Sequence, residues 1–187
     1  TSNESNETIA TSFISENNTL SVVVADEFRN LQLHRVDISK ETVRIIDPLG
    51  LDATAEFHVG SRVVKLCRYK LPNIQLFGFR MYPSHGNFLG TDSGCFGVLI
   101  PLEEKQFRQL SLLESKLYTT IQHEGGMNPK SYRVPVARFR AKQRDKCYVV
   151  DGELFMKFQH LDRSRQEQLA SMVGTTVEDI TDMLLEL

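Results

Sequence analysis

Three cysteines in 187 residues, Cys67, Cys95 and Cys147, are odd in number and far apart. That spacing excludes a disulfide framework and a C-x-x-C metal knuckle, and leaves small buried or half-buried thiols as the expectation. Histidines are equally dispersed. His34, His58, His85, His123 and His160 sit neither three to five residues from one another nor from a cysteine, as a zinc site would want, so they are expected as surface or half-buried imidazoles. Long apolar runs are missing too: none approaches the ~20 residues that cross a bilayer. The start, Thr1-Ser2-Asn3-Glu4-Ser5-Asn6, lacks the basic-then-apolar order of a signal peptide. A cytosolic or nuclear chain without membrane contact is expected, and the N-x-S/T triplets at Asn3, Asn6 and Asn17 then carry no glycosylation expectation.

What is present is an ordinary globular composition, 41% hydrophobic and 25% charged, in a chain long enough to bury a real core. The formal net charge of -2 hides an uneven distribution. Between 129 and 146 stand seven basic residues and one acid, whereas 151 to 187 hold three basic residues and eight acids.

Polar residues 1 to 12 show no periodic pattern, which places a flexible lead-in at 1–19. From Leu20 the pattern changes. Leu20 to Ala25 is β-branched and apolar, Asp26 to Asn30 supplies a turn, and Leu31 to Val36 alternates with period two, which together predict a β-hairpin. Further strands are expected at Thr42 to Ile46, Thr54 to Val59, Arg62 to Tyr69, Ile74 to Arg80, Asn87 to Thr91 and Cys95 to Leu102. About eight short strands with regularly spaced turn signals predict an antiparallel unit over 20–102.

Beyond Pro101 the period becomes helical. Phe107, Leu110, Leu113, Leu117 and Ile121 form one stripe of a helix opened by Glu103 and Glu104, where the helix dipole favours negative charge, and stopped by Gly125 and Gly126. A basic connector over 129–150 leads to three more helices. The first is capped by Asp151 and buries Leu154, Phe155, Phe158 and Leu161; the second runs from Asp162 to Gly174 and buries Leu169, Met172 and Val173. In the third, Thr175-Thr176-Val177-Glu178 matches a capping box in which Glu178 reaches back. Short connections imply a small bundle over 103–187.

No catalytic constellation has usable spacing. Gly90-Thr91-Asp92-Ser93-Gly94 displaces the serine from the middle of G-x-S-x-G and is followed by a strand, so it reads as a turn. Gly94-x-x-Gly97 has no lysine or helix start with which to cradle a phosphate. Neither an enzyme nor a cofactor is expected. One candidate contact site remains, the cations Lys130, Arg133, Arg138, Arg140, Lys142, Arg144 and Lys146. In an extended strand Arg138, Arg140, Lys142 and Arg144 share one side, where they could neutralise RNA phosphates while Phe139, Tyr132 or Tyr148 stack on bases. A protein partner or plain solvation are the other readings of the same stripe.

Several motifs recur in order: Phe57-His58-Val59-Gly60, Asp92-Ser93-Gly94-x-x-Gly97-Val98-Leu99-Ile100-Pro101-Leu102, Gly126-Met127-Asn128-Pro129-Lys130-Ser131-Tyr132-Arg133, Val150-Asp151-Gly152-Glu153-Leu154 and Gly174-Thr175-Thr176. Over residues 20 to 187 they resemble the C-terminal region of a family of large subunits. Its members serve the cleavage and polyadenylation specificity factor, the damaged-DNA-binding complex and a splicing factor 3b complex. The Asn-Pro-Lys-Ser-Tyr-Arg and Gly-Thr-Thr stretches point to the polyadenylation member. The resemblance implies an α+β chain, the last WD40-like blades of an antiparallel β-propeller followed by a small C-terminal helical domain. Two blades do not close a propeller, so the remaining blades are expected in the same or another chain. It further implies a nuclear, non-catalytic scaffold that holds WD-repeat and zinc-finger subunits reading the AAUAAA signal. The competing readings are direct RNA binding and an adaptor role in splicing or in a DNA-damage ubiquitin ligase.

Overall fold

The computed structural model describes residues 7–16, 19–37, 53–70, 75–76, 79–80, 85–133 and 148–185. The chain forms two compact units: Thr1–Pro72, Pro83–Pro101 and Tyr132–Val149 make one, and Asn73–Tyr82, Leu102–Ser131 and Val150–Leu187 the other.

In the first unit β1 (Thr8–Glu16), β2 (Thr19–Asp26), β3 (Asn30–Asp37) and β4 (Ala53–His58) form an antiparallel meander in that order. The expected hairpin is β2 and β3, with Val23 opposite Leu33 and Ala25 opposite Leu31. Strand β1 corrects the flexible lead-in. It pairs along β2 from Thr8 opposite Asp26 to Glu16 opposite Thr19, burying Ser12 and Ile14 on alternate positions. Its polar composition hid that period of two, and the strand forms because β2 would otherwise leave a row of unpaired backbone groups. The strand expected at Thr42 to Ile46 lies outside the described residues.

A second sheet has the order β5-β8-β9, with β5 (Val63–Lys70), β8 (His85–Thr91) and β9 (Phe96–Leu99). In place of the long strand expected from Ile74 to Arg80 stand two residue pairs, β6 (Gln75–Leu76) and β7 (Phe79–Arg80), hydrogen bonded to each other. Ile14, Val23, Ala25 and Leu31 of the first sheet and Val63, Leu66 and Leu89 of the second form one core, so the sheets pack on each other through one face of each. The architecture is α+β with antiparallel sheets, as expected. Its described strands make no closed propeller, because sheets of four and three strands fall short of the four or more blades that closure requires.

The helical unit begins at α1 (Glu104–Thr120), whose Leu110, Leu113 and Leu117 are buried. Gln106 Oε1 accepts the Glu103 backbone N–H at 3.3 Å, satisfying one donor of the helix start. A 3-10 turn at Glu124–Gly126 and a short helix α2 (Pro129–Tyr132) follow. Then come α3 (Gly152–Gln159), α4 (Arg163–Val173) and α5 (Val177–Leu185). Asp151 and Asp162 cap α3 and α4 as expected, each accepting a backbone N–H at 3.0 Å, from Glu153 and Arg165. The box of α5 is shifted by one residue. Thr176 Oγ1 accepts the Asp179 N–H at 3.1 Å and Asp179 accepts the Thr176 N–H at 3.2 Å, while Glu178 instead meets Arg163 at 2.5 Å.

The bundle core joins the α1 leucines to Leu154, Phe155, Phe158, Leu169, Ala170, Val177 and Ile180. Each large side chain buried there stabilises the unit by about 1.5–3 kcal/mol. Met172 was expected inside but is 50% exposed, because α4 turns Leu169 and Ala170 inward instead. Among the described residues no helix is long and apolar enough to cross a membrane.

Glu114 ties α1 to the start of α3: its Oε1 accepts the Asp151 N–H at 2.8 Å and the Tyr118 hydroxyl at 3.3 Å. Burial, above all, pushes its carboxyl above the ordinary range. Removing the acceptor with Glu114→Ala is expected to cost about 1–3 kcal/mol in urea unfolding, whereas Glu114→Gln keeps an oxygen there without the buried charge and holds wild-type stability at pH 7.

Candidate functional site

A connected, largely buried polar cluster sits where the β2–β3 turn meets the end of β4. Asp26, the last residue of β2, is only 2% exposed. A carboxylate that deep must have its oxygens hydrogen bonded. Oδ1 accepts the N–H groups of Phe28 and Asn30, both at 2.9 Å; Oδ2 accepts Asn30 Nδ2 at 3.0 Å and Gln32 Nε2 at 3.4 Å. The side chain thereby imitates a turn of backbone and holds Arg29 at φ 69°, a left-handed conformation that costs a non-glycine residue roughly 1 kcal/mol.

Asn30 donates through Nδ2 to Asp26, so its Oδ1 is an acceptor, and His58 Nδ1 approaches it at 2.9 Å. That contact places the ring proton on Nδ1. Burial, and then the positive charges of Arg133 and Arg29, hold the His58 pKa below its ordinary value, with Asp26 opposing them.

Arg133 closes the cluster from far along the chain. Its Nη1 donates to the carbonyls of Val59 at 2.7 Å and His58 at 3.3 Å, and its guanidinium lies 5.2 Å from the centre of the Phe57 ring and 5.5 Å from that of Tyr132. The planar cation thus satisfies the carbonyls that follow β4 while covering an aromatic face. Residues before Arg133 are set by Asn128, whose Oδ1 accepts the Lys130 N–H at 2.9 Å while Nδ2 donates to the Tyr118 carbonyl at 3.1 Å. His123 Nε2 donates to the same carbonyl at 2.9 Å.

The seven cations expected as a contact strip have separate fates. Lys130 is exposed, Arg133 is half-buried in the cluster just described, and Arg138, Arg140, Lys142, Arg144 and Lys146 lie outside the described residues. Asp26, Asn30 and His58 were missed as a site. An acid opening a turn four residues before an asparagine was the available signal, and their junction with Arg133 had none.

Thr91 to Gly94 is the turn expected between two strands. The Gly94 N–H donates to the Thr91 carbonyl at 3.1 Å, and Gly94 takes φ 82°, which glycine adopts without strain. Ser93 Oγ lies 2.9 Å from Thr91 Oγ1 and faces Cys95 Sγ at 3.6 Å. Cys67 and Cys95 are exposed, against expectation: the outward face of β5 carries one and the β8–β9 turn the other. Cys147 is outside the described residues. The described histidines are half-buried or exposed as expected, and no group of three or more His, Cys, Asp or Glu among the described residues is placed to hold a metal.

Two antiparallel sheets with a polar cluster in which Arg133 holds the carbonyls of His58 and Val59, and a separate helical unit, define an α+β chain. The model of the CPSF A subunit region matches residues 1–160, and the chain belongs to that family. A cleavage and polyadenylation specificity factor subunit 1 of Arabidopsis thaliana is 32% identical over 184 residues, 98% of this chain and 12% of that protein. The Drosophila melanogaster protein of the same name is 26% identical over 94% of this chain and 12% of its own length, and the protein cft1 of Schizosaccharomyces pombe 24% identical over 95% and 12%. The chain thus spans about 12% of the length of these relatives.

Two outcomes test the clamp. Arg133→Ala is expected to destabilise by about 1–3 kcal/mol, and Arg133→Lys to recover less than half of that, because an ammonium lacks the flat fork; urea denaturation measures both. For His58, a folded pKa below the ordinary value of about 6.5 means that the unfolded chain binds more protons near that pH. Its contribution is therefore present above about pH 6.5 and lost as pH falls through the folded pKa, so the pH dependence of stability below 6.5 flattens in His58→Gln.

Proposed function

We propose that this chain is a non-catalytic scaffold segment of the nuclear pre-mRNA 3′-end cleavage and polyadenylation complex, helping to hold the subunits that recognise AAUAAA. The observation that carries this reading is the family match over residues 1–160, joined by alignment across nearly the whole chain to cleavage and polyadenylation specificity factor subunits of a plant and an insect. WD-repeat and zinc-finger subunits are its protein partners, and no cofactor enters. The β1–β4 meander has the strand order of a propeller blade, which supports reading the two sheets as the last blades, their companions lying elsewhere in the same or another chain. Over 103–187 the chain supplies the C-terminal helical domain.

The charge of the connector favours a second contact. Seven cations against one acid between 129 and 146 suit the backbone of the RNA that the complex processes. Because Arg133 already serves the β4 carbonyls, this role falls on Lys130, Arg138, Arg140, Lys142, Arg144 and Lys146.

Affinity purification of the full-length subunit containing this region is expected to recover the WD-repeat and zinc-finger subunits. Recovery of splicing or ubiquitin-ligase components in their place assigns the chain to an adaptor of that kind. For the connector, replacing Arg138, Arg140, Lys142 and Arg144 by glutamine should lower RNA affinity and reduce the slope of log affinity against log salt by about 3, since each phosphate contact contributes roughly 0.7–0.9. An unchanged slope removes RNA from this site.

A further inference from the structure

Among the described residues Arg29 is the one non-glycine held at positive φ. Glycine takes that left-handed conformation without strain and asparagine takes it cheaply, so an arginine there points to a use for its side chain. Within the chain that use is slight. Arg29 is exposed, and its Nη1 donates to the Gly60 carbonyl at 3.3 Å, a long, solvent-facing bond that offsets little of the backbone cost.

A second cation stands beside it. Arg133 Nη1 holds the carbonyls of Val59 and His58, the two residues before Gly60, and lies 4.0 Å from the place a Cβ would take on Gly60. Two guanidiniums therefore converge on the three successive carbonyls of His58, Val59 and Gly60. Burial, and then the charges of Arg133 and Arg29, lower the His58 pKa, so both cations are felt at one spot. Asp26, which opposes them, is buried and already accepts from Phe28, Asn30 and Gln32, and Glu27 is the one exposed acid of the β2–β3 turn. An anion that docks on Arg29 is attracted by the neighbouring guanidinium as well.

We propose that Arg29 and Tyr132 form a contact site for single-stranded RNA, with a backbone phosphate on the Arg29 guanidinium and a base stacked on the Tyr132 ring. Tyr132 is 43% exposed, and the Arg133 guanidinium 5.5 Å from its ring centre sets that aromatic face beside the cations. A ring next to guanidiniums offers a nucleotide both of its contacts, stacking and charge, whereas an acidic peptide would use the charge alone. Continuity argues the same way, because the chain runs on from Arg133 into Arg138, Arg140, Lys142, Arg144 and Lys146. The inference rests on the RNA contact read above for the connector and adds to it a point on the sheet unit.

Arg29→Gly separates a structural use of the arginine from this one, since glycine keeps the turn without strain. In the purified full-length subunit the variant should leave hydrogen exchange of the β2 and β3 peptides unchanged. It is expected to bind a single-stranded oligoribonucleotide about three- to tenfold more weakly, with the slope of log affinity against log salt reduced by about 0.7. Tyr132→Leu is expected to lower affinity about fivefold or more at an unchanged slope, because stacking releases no counterion. Unaltered affinity and slope in Arg29→Gly overturn the proposal. If that variant disturbs hydrogen exchange of the turn, Tyr132→Leu decides, and unaltered affinity there overturns it. Loss of a protein subunit on affinity purification of Arg29→Gly, with RNA binding intact, overturns it in favour of a protein partner. The connector variant is measured in parallel: RNA binding weakened there and unaltered in Arg29→Gly removes this site and leaves the connector, and the reverse result removes the connector and leaves this site.

Discussion

A carboxylate buried to 2% exposure, Asp26, is the constraint around which the sheet unit is arranged. Taking such a group from water costs several kcal/mol unless its oxygens are matched by donors. The match requires the Phe28 and Asn30 backbone to curl over it, Arg29 to sit at positive φ, and the Asn30 and Gln32 side chains to turn inward. Once Asn30 is oriented, its side-chain oxygen faces His58 at the end of β4, and the carbonyls of His58 and Val59 are where Arg133 attaches. One charge thereby sets a turn, aligns two strands and fixes a residue more than a hundred positions later.

The helical unit depends less on distant partners. Its caps are local, Asp151 to Glu153, Asp162 to Arg165 and Thr176 to Asp179, and its core residues recur at helical spacing within each segment. The sheet unit assembles through non-local pairings, β5 with β8 across an intervening stretch and Arg133 with the residues after β4. Contacts of that separation cost more loop entropy before they form, so the helices are the elements expected to order first.

Legibility in the sequence follows the same division. A β-branched apolar run marked β2, period-two alternation marked β3, and the stripe of Leu110, Leu113 and Leu117 marked α1, because side-chain burial on one face is written directly into spacing. Strand β1 was illegible because its inward positions include Ser12, buried beside Asn87. The outward turn of Met172 was hidden for another reason: Met172 and Ala170 flank Leu169 on opposite sides of the helix, and only the packing of the neighbouring helices selects the side of Ala170. As for the cluster around Asp26, its turn was visible and its partners were not. Nothing in a sequence states that an arginine at 133 will lie on a phenylalanine at 57.

By itself the sequence determined the kinds of element, most of the helix caps and the family, because these rest on neighbours within a turn or two and on ordered motifs. The tertiary structure alone decided which cation is spent on backbone carbonyls, which thiol stands outside, and which face of the second sheet is left bare. Those are matters of what lies across a gap in space, and an alternation of apolar and polar residues says that a strand has an inner side without saying what stands opposite it.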